Sequence, residues 1–299
     1  MNLLLTGAWN GAGSALPDLE RAGHVIKFLQ HESEPLPCPY DWVEGVVCNG
    51  LFLHHPIEKF KSLQCIQLTS AGFDRIDMEY VSEHGIQIFN ARGVYSIPMA
   101  EFALCGVLQL YKQAPFFHRL QRNRTWEKHR DLRELFGQTV CVIGCGSVGA
   151  ECAKRFSAFG CTVIGVDLFP VPNDAFSDIF PMKEMHRALQ RSDIVVLTLP
   201  LTKETFHLFD SEAFSFFKPG AILVNIARGA VVNPSALLNA LNTNLLSGAV
   251  LDVFEEEPLA SEDPLWALEN VLITPHNSFV SNGNADRLKL IIYKNLKVI

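Results

Sequence analysis

The chain has 299 residues, room for two domains of ordinary size or for one large barrel. Apolar types make up 48% and charged types 19%, which excludes a disordered, collagen-like or coiled-coil chain. Lys and Arg number 25 against 32 Asp and Glu, a net charge of −7, so no basic excess exists to neutralise phosphates and no nucleic-acid partner is expected.

The first residues, Met1–Gly13, carry no basic segment, and their apolar run is too short for a secretory signal. Beyond them, short apolar and β-branched runs alternate with amphipathic runs about 10–15 residues long, the pattern of a parallel sheet covered by helices. Strands are expected at Leu3–Thr6, His24–Leu29, Gly45–Cys48, Cys65–Thr69 and Ile86–Phe89. Ser14–Ala22 and Met78–His84 read as helices between them, with Gly23 and Gly85 as their stops. The stretch Gly7-Ala-Trp-Asn-Gly11-Ala-Gly13 also follows a strand, but its glycine spacing is irregular and the next strand ends without an acid, so it reads as a loop.

A long amphipathic stretch from Pro98 to Gln113 then leads into a polar arm, His118–Arg133, read as a solvated connection or subunit contact. A second series of strands follows at Thr139–Ile143, Thr162–Val166, Ile194–Leu199, Ala221–Ile226, Ala249–Val253 and Val271–Thr274. Ala285–Val298 reads as a helix that returns to the first domain. The fold expected is α/β, with two doubly wound parallel-sheet domains and a cleft between them. Residues 1–97 and 279–299 form a discontinuous substrate domain, and residues 98–278 a nucleotide domain. No run reaches the ~20 apolar residues of a membrane helix, so no membrane partner is expected. The eight cysteines form no Cys-x-x-Cys pair and mostly lie in apolar runs. They read as small hydrophobes in a reducing cytoplasm, and no metal is expected.

Thr139–Ile143 runs into Gly144-Cys-Gly146-Ser147-Val148-Gly149, a strand, a glycine turn and a helix in the order a dinucleotide site requires. Gly144 permits the tight turn, Gly146 lets the backbone approach a pyrophosphate, and Gly149 lets the helix lie close to the strand. The Ser147 and Val148 amides would face the phosphates at the positive helix end. Asp167 closes the next strand, at the ~20-residue distance of an acid that binds ribose hydroxyls and repels a 2′-phosphate. Leu168 and Phe169 follow with no Arg, so NAD is expected rather than NADP.

Three segments place reactive groups just after predicted strands: Asn225-Ile-Ala-Arg228-Gly229, Asp252-Val-Phe-Glu-Glu-Glu257-Pro258 and Thr274-Pro-His276-Asn277-Ser278. Ligands of open α/β sheets bind outside the carboxyl ends of the strands. An Arg there clamps a carboxylate and polarises the adjacent carbonyl. A His exchanges the proton that accompanies hydride transfer, and a Glu bonded to it orients the ring. Each residue alone has an ordinary structural explanation; their joint occurrence behind a nucleotide fold points to catalysis.

With Ser70-Ala71-Gly72-Phe73-Asp74, Pro98-Met-Ala-Glu101 and Leu199-Pro-Leu-Thr-Lys-Glu-Thr205, these motifs make the chain resemble the D-isomer-specific 2-hydroxyacid dehydrogenase family. The likeness runs from about Cys65 to Ser278 and is looser before it. The resemblance implies a flavodoxin-like substrate domain and a Rossmann NAD-binding domain. It implies a catalytic Arg228, a Glu257 paired with the acid/base His276, and an Asp252 near the nicotinamide carboxamide. Leu199, Pro200, Thr205, Ile226 and Ala227 would line the cofactor, while Ser70, the Ala71 and Gly72 amides, Tyr95 and Arg228 would meet a small 2-hydroxy or 2-keto acid. It also implies a homodimer paired through the nucleotide domain.

Glu257, where formate dehydrogenases of this architecture resemble a version with a neutral amide, favours hydroxy-acid chemistry. A non-enzymatic NAD(H)-sensing protein on the same fold is the alternative. The substrate stays open: 3-phosphoglycerate calls for cations, which Cys48-Asn49-Gly50 lacks, while Lys59, Lys61, Arg75 and Arg92 lie nearby in sequence. Asn277-Ser278-Phe279 departs from the small residues usual after the histidine, and the usual short continuation of the last helix is not expected after Ile299.

Overall fold

The computed structural model describes residues 1–298 and divides into two compact units, Met1–Tyr95 with the stretch from Ser281 onward, and Ser96–Val280. The first unit contains β1 (Asn2–Thr6), α1 (Ala12–Arg21), β2 (Val25–Leu29), β3 (Gly45–Cys48), β4 (Cys65–Leu68), α2 (Met78–Glu83) and β5 (Gln87–Phe89). Its strands pair in parallel in the order β2-β1-β3-β4-β5. β3 and β4 are buried at every position, as strands covered on both faces must be, and edge strand β2 leaves Val25 and Phe28 exposed.

The second unit opens with α3 (Ser96–Tyr111) and α4 (Ala114–Arg122) and continues through β6 (Thr139–Ile143), α5 (Ser147–Ala158), β7 (Thr162–Asp167) and β8 (Asp178–Pro181). It is completed by α6 (Met185–Leu189), β9 (Ile194–Leu197), α7 (Ser211–Ser215), β10 (Ala221–Asn225), α8 (Pro234–Asn242), β11 (Leu246–Leu251) and β12 (Val271–Ile273). The strands form one parallel sheet, β12-β11-β10-β9-β6-β7-β8. Its order reverses between β6 and β9, the switch point at which a doubly wound sheet binds its ligand. Side chains of α3 and α5 pack on one face around Val142 and Val196, and those of α6, α7 and α8 on the other around Cys141 and Val195. The chain closes with α9 (Asn284–Asn295), whose Leu288, Ile292 and Tyr293 join Leu3, Leu5 and Val47 in the core of the first unit.

Two elements differ from the sequence expectation. His118–Arg122, taken with the polar arm, is the last part of α4, which starts with Pro115 in its first turn and sets Phe116 and Leu120 one helical turn apart. β8 has no counterpart among the expected strands: it is short, lies at the sheet edge and ends in Pro181, a residue tolerated in strands only where no ladder N–H is needed.

Candidate active site

β6 leads into Gly144-Cys145-Gly146, and α5 starts at once. Gly144 takes φ +95° and donates its N–H to the Val166 carbonyl at 2.8 Å. A Cβ on Gly149 would stand 2.1 Å from the Gly144 oxygen, so only glycine lets the helix begin this close to the turn. Thr198, just after β9, donates its hydroxyl to that same oxygen at 2.6 Å and ties the turn to the neighbouring strand. Asp167 holds the other side, accepting the Cys145 amide at 2.6 Å and the Phe169 amide at 2.9 Å.

No side chain caps α5, and a Cβ on Gly146 would meet no atom within 4 Å. An uncapped helix N-terminus under open space suits a pyrophosphate. The glycine-rich loop after β1 is built differently. A Cβ on Gly7 would stand 2.2 Å from the Gln30 oxygen, and Trp9, buried to 1% exposure, sits 3.0 Å from the corresponding position on Gly11. That loop is filled by its own chain. The residues of the turn after β6 therefore fit a dinucleotide, and those after β1 do not.

Leu199 is buried at the switch point, and the segment after it is folded by Thr205, whose hydroxyl donates to the Pro200 carbonyl at 2.8 Å and accepts the Thr202 amide at 2.7 Å. After β10, the buried Asn225 accepts the Ala227 amide at 3.1 Å and donates to the Arg228 carbonyl at 3.1 Å, which shapes the Ile226-Ala227-Arg228 bend. Arg228 is half-buried and extended, with Nη1 donating to the Ala227 carbonyl at 2.7 Å. The next residue, Gly229, lies so close to Phe254 that a Cβ would stand 1.8 Å from its carbonyl carbon. The Arg228 bend thus rests directly on the loop that carries Glu257.

Asp252, fully buried, organises the histidine loop. Its carboxylate accepts the Thr274 hydroxyl at 2.6 Å and the Asn277 and Ser278 amides at 2.8 and 2.9 Å. His276 sits at φ +51°, its amide on the Asp252 carbonyl at 2.8 Å. Its Nδ1 lies 2.9 Å from Glu257 Oε2, while Glu257 Oε1 accepts the Phe254 amide at 3.0 Å and Phe279 meets the imidazole edge-on. A carboxylate on Nδ1 selects the tautomer with its proton there and leaves Nε2 to exchange a proton. A second pair, His207 Nε2 and Glu255 Oε2 at 2.9 Å, braces the same loop.

The other expected residues lie in the first unit. Ser70 donates its hydroxyl to the Gly72 carbonyl at 3.1 Å, Asn90 holds the Ala71 carbonyl at 2.6 Å, and the Tyr95 hydroxyl donates to the Thr69 carbonyl. Burial raises the Tyr95 pKa above the ordinary phenol value. Thr198 and Asn225 are the positioning residues to which sequence reasoning assigned no role; the one signal each offers is a polar side chain at the end of an apolar strand. Among the described residues, no group of three or more His, Cys, Asp or Glu side chains is arranged to hold a metal.

Residues 104–278 match the family model of the D-isomer specific 2-hydroxyacid dehydrogenase NAD binding domain. A D-lactate dehydrogenase of Staphylococcus epidermidis is 36% identical over 247 residues, 78% of this chain and 74% of that one. A D-isomer specific 2-hydroxyacid dehydrogenase of Xanthobacter autotrophicus solved with NADPH and MES has a TM-score of 0.82 at 28% identity, covering 99% of this chain and 93% of that one. A D-lactate dehydrogenase of Aquifex aeolicus solved with NAD and lactic acid has a TM-score of 0.80 at 26% identity, covering 99% and 94%.

Proposed function

The chain belongs to the D-isomer-specific 2-hydroxyacid dehydrogenases, and on that premise we propose that it interconverts a D-2-hydroxy acid and its 2-keto acid with Arg228, Glu257 and His276 as the working side chains. The observation that carries this reading is the 2.9 Å contact between His276 Nδ1 and Glu257 Oε2. NAD, when bound, accepts the hydride from C2 or, as NADH, returns it.

The residues that would hold the cofactor are Gly144, Gly146, Ser147, Val148 and Gly149 at its pyrophosphate and Asp167 at its ribose. Leu199, Pro200, Thr205, Ile226, Ala227 and Asp252 would lie along the rest. Asp167 supports NAD over NADP, because a carboxylate opposes a 2′-phosphate and the next two residues, Leu168 and Phe169, offer it no cation.

In reduction, His276 holds a proton on Nε2 and gives it to the keto oxygen; in oxidation the same nitrogen takes it back. Glu257 keeps the ring in place through Nδ1 and balances its charge. Arg228 clamps the substrate and polarises the keto carbonyl. The Ala71 and Gly72 amides take the substrate carboxylate, and Ser70 and Tyr95, whose hydroxyls donate to the Gly72 and Thr69 carbonyls, shape the loop that presents them. A carboxylate partner for the histidine supports a proton-coupled reaction, where formate oxidation needs none.

Two further readings accompany this one. The chain is proposed to act as a homodimer paired through the nucleotide unit. In support, residues 125–135 run without regular structure, Trp126 is 98% exposed, and a concavity of about 770 Å³ lined by Phe117, Leu120 and Trp126 lies beside them. It is proposed to work in the cytoplasm, supported by eight free cysteines and, among the described residues, by no helix long and apolar enough to cross a membrane.

The test is NADH oxidation with glyoxylate, hydroxypyruvate, pyruvate, branched 2-keto acids and 3-phosphohydroxypyruvate. His276→Ala should bind NADH normally and lose roughly 10²–10⁴-fold in kcat. A His276→Ala enzyme with most of its turnover would refute the role. Tight NADH binding without turnover of any acid would instead assign the fold to sensing.

A further inference from the structure

The strand order of the first unit reverses between β1 and β3, and ligands of such sheets bind beyond the carboxyl ends of the strands at that point. The donors at this place are already taken. Thr6, the last residue of β1, donates its hydroxyl to Glu32 Oε1 at 2.7 Å. Asn49, the first residue after β3, donates its amide to the same oxygen at 2.7 Å, and Gly50 donates its amide to Oε2 at 2.7 Å. Successive backbone amides converging on one group form an anion seat, the kind of concavity that binds phosphate or carboxylate groups. Here a carboxylate of the chain itself occupies it, delivered by the loop after β2.

The seat adjoins the substrate loop. The Thr69 amide donates to the Cys48 carbonyl at 2.9 Å, and β4, which pairs with β3, runs directly into Ser70-Ala71-Gly72. No ion pair among the described residues includes Glu32. Arg75 lies close by: its Cδ is 3.7 Å, and Glu32 Oε2 3.5 Å, from where a Gly50 Cβ would stand.

We infer that Glu32 is a specificity-determining residue: its carboxylate fills the anion seat beside the substrate loop, so the enzyme takes 2-keto acids whose far end carries no phosphate or sulfonate. The inference rests on the dehydrogenase reading above. Two effects act together. The amides that would hold a second anion are hydrogen-bonded to Glu32, and the charge of Glu32 opposes any anion that approaches them. A neutral far end, such as a hydrogen, a methyl or a hydroxymethyl group, meets neither obstacle.

The experiment compares kcat/KM for hydroxypyruvate and 3-phosphohydroxypyruvate, which differ only by the phosphoryl group, with NADH as reductant. The intact enzyme should favour hydroxypyruvate by at least about tenfold, the scale of one like-charge contact near a protein surface. Glu32→Gln keeps the shape and removes the charge, and should shrink that ratio by about tenfold; Glu32→Asp keeps the charge and should leave the ratio near that of the intact enzyme. Thermal unfolding of each variant shows whether the loop still folds. Preference of the intact enzyme for the phosphorylated acid overturns the inference without any variant, and loss of that preference in Arg75→Ala would hand the role to Arg75. A ratio unmoved in a folded Glu32→Gln enzyme overturns it as well. Failure to reduce any 2-keto acid removes the parent reading and this one with it, an outcome distinct from turnover with the wrong preference.

Discussion

Asp252 and Thr274, on the ends of neighbouring strands, share a hydrogen bond of 2.6 Å, and the Asn277 and Ser278 amides complete the shell of the same carboxylate. The chain therefore enters and leaves His276 on one buried anion, which holds the histidine at φ +51°, a backbone region that costs a non-glycine residue about 1 kcal/mol. Asp252→Ala would leave three donors without their acceptor, the Ser278 amide buried and the other two partly so, at a cost of about 2 kcal/mol or more. Asp252→Asn, which keeps one acceptor oxygen, should cost less. Urea unfolding measures both, and kcat should fall in parallel because the His276 loop relaxes. An Asp252→Asn enzyme with the original midpoint and full turnover would show the shell to be dispensable.

Two glycines of the turn after β6 should fail in opposite ways when changed to alanine. At Gly149 the new methyl would meet the Gly144 oxygen at 2.1 Å and Thr198 Oγ1 at 3.1 Å, so α5 must move and the melting temperature should drop by several degrees. At Gly146 the methyl meets nothing within 4 Å, so the protein should melt as before. It would, however, stand where the pyrophosphate approaches the backbone, and NADH affinity should weaken at least about tenfold. Melting curves beside a fluorescence titration with NADH separate the two. Normal NADH binding by a folded Gly146→Ala protein would sink the assignment of the turn.

The parts legible in the sequence are those written in contiguous stretches. A strand, its glycine turn and the start of a helix are neighbours in the chain, so Gly144, Gly146 and Gly149 could be read together, and Asp167 lies one strand further on. Glu257 and His276 could be paired only through the resemblance, since nothing local to Thr274-Pro-His276 announces which acid will face it. Thr198, Asn225 and Glu32 stayed dark for a related reason. Each acts on backbone groups that only the sheet brings near, as when Glu32, from the loop after β2, reaches the first residues beyond β3. Local propensity also misled where tertiary contact decides. The charged side chains of His118–Arg122 suggested an arm, yet with Pro115, Phe116 and Leu120 they complete a helix.

Cys145 lies in the glycine turn and looks exposed to chemistry, but the fold makes it a poor nucleophile. Burial pushes its thiol up to about 12, and the nearby charge of Asp167 adds to the shift. Because the value is raised, the neutral thiol persists through the physiological range, and the thiolate appears only as the pH approaches 12. At pH 8 the thiolate fraction is on the order of 10⁻⁴, so iodoacetamide should leave Cys145 untouched. Cys152, also near 12, and Cys65 and Cys161, both near 11, should be protected for the same reason. Cys105 on α3 is exposed and should carry the label first. Peptide mapping by mass spectrometry at pH 8 reads this directly, and activity should survive the modification. Labelling of Cys145 as fast as Cys105, with activity lost and NADH protecting it, would mean that the turn opens far more than its hydrogen bonds to Asp167 and Val166 allow.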